Sequence, residues 1–329
     1  MKRLSILLAL LGLGVMLMLL VWFDLGAVWA ALLAVGWGGF GVLMLFQVGL
    51  FVVLGAAWGL VLPRVLAPGM SSGSRWLLVV WARMVRDAAT TCLPFSPVGG
   101  YVLGARALTL EGVAWPTAAA GTAVDVVAEI AAQLAFALFG VAVLVLVRPD
   151  SGLAGPVGAG AGVALGLVVA GVLQRARLGR GMRLLGLRLA GEWFSGQEGL
   201  GRLEAELTRL FVPGRLAAAS VVHLSGWFAT GVATWIGLRL LGAQADMLHV
   251  LALEALLDAL VAAAFLVPGG AGVQEAGYVG FGVLFGVPPE LALGVALLRR
   301  GRDLVWGVPI LLAWQAREVR RLGDGRAGR

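Results

Sequence analysis

Residues 82–107 read ARMVRDAATTCLPFSPVGGYVLGARA, and the fold turns on this stretch. Arg83, Arg86, Asp87 and Arg106 carry its charge, and between them stand Pro94, Pro97 and the neighbours Gly99 and Gly100. Long apolar runs lie on either side. Proline lacks an amide donor and its ring collides with the preceding turn, so the spacing predicts a helix that breaks near residues 93–97. Broken backbone at membrane depth is tolerated only where protein buries it or where it lines a cavity. Charges held beside such a break mark a functional site.

A second stretch repeats the idea. Residues 254–278 read EALLDALVAAAFLVPGGAGVQEAGY. Asp258 precedes Pro268 by ten positions, as Asp87 precedes Pro97. Gly269 and Gly270 follow the proline, and Glu275 comes shortly after. Two matched, Pro- and Gly-interrupted apolar segments in two halves of a membrane chain point to a transport site.

Composition sets the class. The chain has 329 residues, of which 60% are hydrophobic and only 13% charged, with a mean hydropathy of +0.96. Such a chain is a polytopic integral membrane protein, not a soluble domain. Its 50 glycines suit helices that pack closely in lipid. The single cysteine, Cys92, excludes an internal disulfide. The net charge of +7 comes from arginines crowded into loops, as the positive-inside rule requires, so no nucleic-acid partner is expected.

Hydropathy predicts spans at about 4–23, 37–62, 118–147, 152–173, 216–241 and 290–314. Lys2 and Arg3 before the first span place the N-terminus inside; that run is too long for a signal peptide. The third span carries Asp125, Glu129 and Gln133 on one stripe, four apart. Two carboxylates on one membrane helix must face protein, water or a cation, and the arginines of the first broken stretch are the candidates. Residues 174–215 form the one sizeable polar region. Their arginines place this loop in the cytoplasm, with an amphipathic helix over 197–211 that lies on the membrane surface or is an ordinary solvated loop helix. His223 on the fifth span is read as a packing hydrogen-bonder. The last span carries Arg299, Arg300, Arg302 and Asp303 near its middle, for which Glu254, Asp258 and Glu275 are the natural counter-charges. Arg317, Arg320 and Arg321 put the C-terminus inside as well.

The expected fold is therefore all-α. It is a single membrane domain over 1–329 with about six full spans and two re-entrant hairpins. Three spans between the hairpins reverse the face of entry, giving an inverted repeat over about 76–173 and about 244–316. Full crossing by one or both stretches, giving seven or eight spans, is the alternative. No metal-ligand spacing, Walker loop or nucleophile–histidine pair stands out, so no metal, cofactor or catalytic residue is expected.

Three segments carry a family resemblance: ARMVRDAATTCLPFSPVGGYVLGARAL at 82–108, DVVAEIAAQ at 125–133, and VPGGAGVQEAGY with the later ALLRRGRD ending at Asp303. They resemble the flippase-like integral membrane family that includes the transmembrane domain of lysylphosphatidylglycerol synthases, and within it the hopanoid-biosynthesis-associated proteins. Where the family often has an acidic residue after the first motif's glycine, this chain has Tyr101. The resemblance implies handling of polar lipids in the bacterial inner membrane. No aminoacyltransferase domain follows in this sequence, so synthesis of lysylphosphatidylglycerol is not expected.

The resulting expectation is a lipid transporter whose headgroup contacts come from Arg83, Arg86, Arg106, Arg299, Arg300 and Arg302. Asp87, Asp125, Glu129, Asp258 and Glu275 balance them, and Gly99, Gly100, Gly269 and Gly270 permit the turns. Membrane lipids are the expected partners, with lipid-biosynthesis enzymes in a scaffold alternative. An intramembrane lipid enzyme using Glu129 or Glu275 as base is a third reading.

Overall fold

A computed structural model describes residues 25–93, 98–150, 196–264 and 272–327, with positions 152, 155, 159 and 162 between them. The expected first span at 4–23, nearly all of the fourth at 152–173, and Arg175, Arg177, Arg180, Arg183 and Arg188 fall outside these residues. So do Pro94, Pro97, Gly269 and Gly270.

The described residues form nine α-helices and no strand. They are α1 (Leu25–Val61), α2 (Ser72–Cys92), α3 (Val98–Leu110), α4 (Trp115–Val147), α5 (Gly196–Leu210), α6 (Pro213–Leu240), α7 (Met247–Ala263), α8 (Val273–Leu284) and α9 (Pro289–Ala327). Helix α1 kinks at Gly36, whose φ of 73° suits a residue without a Cβ. Three helical stretches, Leu33–Val61, Trp115–Val147 and Pro213–Leu240, are long and apolar enough to cross a membrane. Large apolar side chains such as Leu45, Leu146 and Val221 stand exposed on them, as befits surfaces that face lipid. The protein is a multi-pass helical membrane protein.

In both stretches helix ends before the expected break and resumes after it. Helix α2 opens with Ser71 accepting from the Ser74 amide at 3.1 Å and stops at Leu93, whose backbone is extended (φ −108°, ψ 146°). The chain becomes helical again at Val98. Likewise α7 stops at Ala263 and α8 begins at Val273. In the first pair the limbs touch backbone to side chain. A Cβ on Gly104 of α3 would lie 2.9 Å from the Arg86 Cβ and 3.3 Å from the Ala82 carbonyl oxygen. Only glycine lets α3 lie this close to α2.

Two large hydrophobic cores result, beside a small cluster of Ala31, Phe40, Leu43 and Leu298. The first gathers Trp58, Val85, Leu108, Val124 and Leu210 around α1–α5. The second gathers Leu144, Leu238, Leu253, Leu257, Tyr278 and Val295 around α6–α9. Helices α4 and α9 run through both in opposite order. Helix α4 enters the first core at Ala118 and ends in the second at Leu144; α9 enters the second at Ala292 and reaches the first at Ile310. Correspondingly, α2 packs on α9 and α7 packs on α4, whereas α2 with α4 and α7 with α9 are not closely packed pairs. Thus α2 rests on the long helix that follows α8 and α7 on the long helix that follows α3, whereas α3 and α8 pack on α4 and α9, which come directly after them.

The helix expected over 197–211 is α5. Its apolar stripe is turned onto the protein, with Leu210 buried and Leu203 and Leu207 packed on the first core. Helix α9 is longer than the expected final span and continues through Pro309 to Ala327.

Candidate functional site

Two networks of buried charge bridge the pairs of helices that do not pack directly. The first joins α2 to α4 and α6. Arg83 and Asp87 lie one turn apart on α2, and the Arg83 Nε donates to Asp87 at 3.0 Å. The Arg83 Nη2 donates across to Glu129 at 2.8 Å, and its Nη1 lies 3.8 Å from Asp125. The Arg86 Nη1 donates to Asp125 at 2.6 Å, and its Nη2 donates to Glu129. Asp125 is fully buried and its other oxygen meets the His223 Nε2 at 2.9 Å. The planar guanidinium has five donors, so each arginine can hold two carboxylates at once. The Arg86 guanidinium also lies over the Tyr101 ring at 4.4 Å and near Trp58 at 5.8 Å. An aromatic face in that position attracts the cation.

The second network joins α7 to α6, α8 and α9. Glu254 is fully buried and accepts from three side chains. The Thr234 hydroxyl donates at 2.7 Å, the Tyr278 hydroxyl donates at 2.9 Å, and the Arg299 Nη1 supplies the ion pair. The Arg299 Nη1 also donates to the Tyr278 oxygen at 3.0 Å. Asp258, one turn further along α7, has only its Oδ1 near Arg299 Nη2, at 3.7 Å. Its Oδ2 is buried with no hydrogen-bond partner among the described residues.

A balanced pair flanks this network. Arg300 donates to Glu275 at 2.8 Å, and the other Glu275 oxygen accepts the Gly272 amide at 2.8 Å, capping α8. A carboxylate at a helix N-terminus is also favoured by the helix dipole. Arg302 is bound to its own neighbour, the Asp303 Oδ1, at 2.8 Å, not to a carboxylate of α7 or α8. Arg106 stands apart from both networks, in a two-bond contact with Glu318 at 2.7 and 3.1 Å on the exposed side. Gly100 packs against α2, where a Cβ would come within 2.7 Å of the Arg86 carbonyl oxygen. Gly99 has open space at the same end.

The two networks therefore collect Arg83, Arg86, Asp87, Asp125, Glu129, Glu254, Asp258 and Arg299. To these, the structure adds His223, Thr234 and Tyr278. Beside the second network, between α7 and α8, lies a cavity of about 610 Å³. Its walls are Leu260, Val273, Ala276, Phe281, Leu284 and the glycines of α8, with no charged side chain. Among the described residues no group of three or more His, Cys, Asp or Glu side chains is placed to hold a metal ion.

Together these features define a polytopic helical membrane protein with two Pro/Gly-interrupted helix pairs, each bridged to a long helix by buried ions. Residues 9–311 match the family described as the lysylphosphatidylglycerol synthase TM region, and the chain belongs to that family. No curated protein and no solved structure matched the chain. Membership makes it a membrane protein of lipid-related processes.

Proposed function

We propose that this protein moves polar lipids across the bacterial inner membrane as a flippase-like transporter, with both termini in the cytoplasm. The observation that carries the reading is the pairing of two interrupted helices with two ion networks in opposite halves of one chain. Interrupted helices in matched halves are the hallmark of transporter sites, and ions kept at membrane depth at a cost of roughly 2.5–3.5 kcal/mol each are retained for a task. The two halves form an inverted repeat of two re-entrant hairpins, and a headgroup passes between them.

The chemistry suits an amphiphile. An anionic headgroup competes with Glu129 or Glu254 for the guanidinium forks of Arg83, Arg86 and Arg299, the geometry arginine uses for phosphate and carboxylate. Meanwhile the 610 Å³ apolar cavity between α7 and α8 has the size and lining to take hydrocarbon. Hopanoids are the favoured cargo within the polar lipids. The role is non-catalytic: the residues bind and release, and no bond of the lipid is made or broken.

A scaffold for lipid-modifying enzymes is the second reading. It is favoured by one observation: Arg83, Arg86 and Arg299 already have carboxylate partners inside the chain. Mass spectrometry of lipids retained by protein purified in mild detergent separates the two, comparing wild type with Glu275→Gln and Arg299→Ala. A specific polar lipid, enriched over the bulk membrane and lost in the variants, supports transport. Bulk membrane lipid in all three proteins overturns it in favour of the scaffold.

A further inference from the structure

The second network holds one more carboxylate than cation. Its charges are Glu254 and Asp258 against Arg299, while Arg300 with Glu275 and Arg302 with Asp303 are balanced pairs beside it. The two carboxylates of the network sit where water is scarce: Glu254 is 0% and Asp258 7% exposed. An uncompensated buried charge is costly, and such a group neutralises itself when it can.

The two carboxylates are not equivalent. Glu254 receives three donors, Thr234, Tyr278 and Arg299. Asp258 has one oxygen 3.7 Å from a guanidinium already engaged by Glu254, and its Oδ2 has no partner among the described residues. Among the described residues, no further cation is at hand from the elements around it. Helix α7 itself offers only Glu254 and, more than two turns away, His249 against Phe285. Helix α4 has no ionisable side chain beyond Glu129, through the half that packs on α7. Helix α6 offers Thr234, and its Arg239 is held at Gln244 and Trp235. Helix α8 offers Tyr278 and the already paired Glu275, and α9 offers Arg299.

We propose that Asp258 is a proton-carrying group: a bound proton on its carboxyl closes the charge of the second network, and its release leaves that network one charge negative. The first network also carries three carboxylates against two arginines, but there His223 lies 2.9 Å from Asp125. Asp258 has no such neighbour. Proton loss lets Asp258 compete with Glu254 for Arg299, which moves the ion pair between α7 and α9 one turn along α7. Use of this step to drive lipid movement rests on the transport reading above; proton binding itself does not.

The test is infrared spectroscopy of the purified full-length protein in detergent, titrated between about pH 5 and about pH 8, the range in which a proton carrier must act. Wild type is expected to show the carbonyl stretch of a buried protonated carboxyl that fades as pH rises. Isotope labelling of aspartate, and not of glutamate, should shift it. Asp258→Asn should abolish it. Glu254→Gln removes the surplus charge and should leave Asp258 ionised beside Arg299, so the band should vanish there too. A wild-type spectrum without the band at either end of the range overturns the proposal, whether or not any variant folds. So does a band that survives in Asp258→Asn or moves with labelled glutamate. Lipid retention is read separately, so a scaffold protein with a protonated Asp258 and a transporter without one give different pairs of results.

Discussion

Removing Arg86 tests the first network most directly. Arg86 is 2% exposed and sits on two carboxylates, Asp125 at 2.6 Å and Glu129, with its flat face over Tyr101. In Arg86→Met the aliphatic bulk remains and the charge goes. Arg83 alone then faces Asp87, Asp125 and Glu129, and Asp125 has no solvent contact. Stranding a buried partner costs about 3–5 kcal/mol. The double variant Arg86→Met with Asp125→Leu removes one charge of each sign and leaves Arg83 against Asp87 and Glu129. Replacing a buried pair by apolar side chains of similar size is close to neutral, so the double variant should regain at least about 2 kcal/mol of what the single one lost. Reversible unfolding in mixed micelles with increasing SDS measures both. A loss under about 1 kcal/mol for Arg86→Met refutes the argument, as does a double variant whose loss is the sum of the two single losses.

Three further outcomes follow from the geometry. Gly104→Val pushes α3 off α2 and should cost at least about 1–3 kcal/mol in the same unfolding assay, while Gly99→Ala, with open space around it, should leave stability nearly unchanged. Tyr278→Phe deletes a hydroxyl that donates to Glu254 and accepts from Arg299; leaving those groups short of a partner should cost about 1–3 kcal/mol, read as a lower midpoint with an unchanged far-ultraviolet spectrum. Arg106→Ala breaks a pair whose arginine side chain is 44% exposed, and thermal unfolding should register less than about 1 kcal/mol.

Much of this was legible because prolines, glycines and charges leave local signals. Pro94 and Pro97 announced the end of α2, and four-residue spacing foretold the Arg83–Asp87 pair. The carboxylates of α4 had to find cations, and the arginines of the first broken stretch were the nearest in kind. What the sequence could not show was which side chains meet across helices. His223 and Asp125 are 98 positions apart, and Thr234 and Glu254 belong to different helices. Spacing orders residues around one helix and says nothing of which neighbour they face. The charge pattern pairs Arg302 with a distant carboxylate, whereas the side chain takes Asp303, the adjacent one, since a long side chain can fold back at little cost. Arg106 was grouped with the site arginines, and its partner Glu318 lies beyond the expected end of the last span, on the extension of α9.

The crossing of α4 and α9 between the two cores makes the halves interdependent, like two hands that each grip the other's wrist. A fragment ending after α4 would keep the first hairpin but lose the surface of α9 on which α2 lies, and α4 would end in a core with no other members. Neither half could then persist as a solitary folding unit; it would need a second copy of itself, or its complement, in the opposite orientation. Separately synthesised halves should accordingly reassemble, and a movement of either hairpin is transmitted to the other through a shared beam.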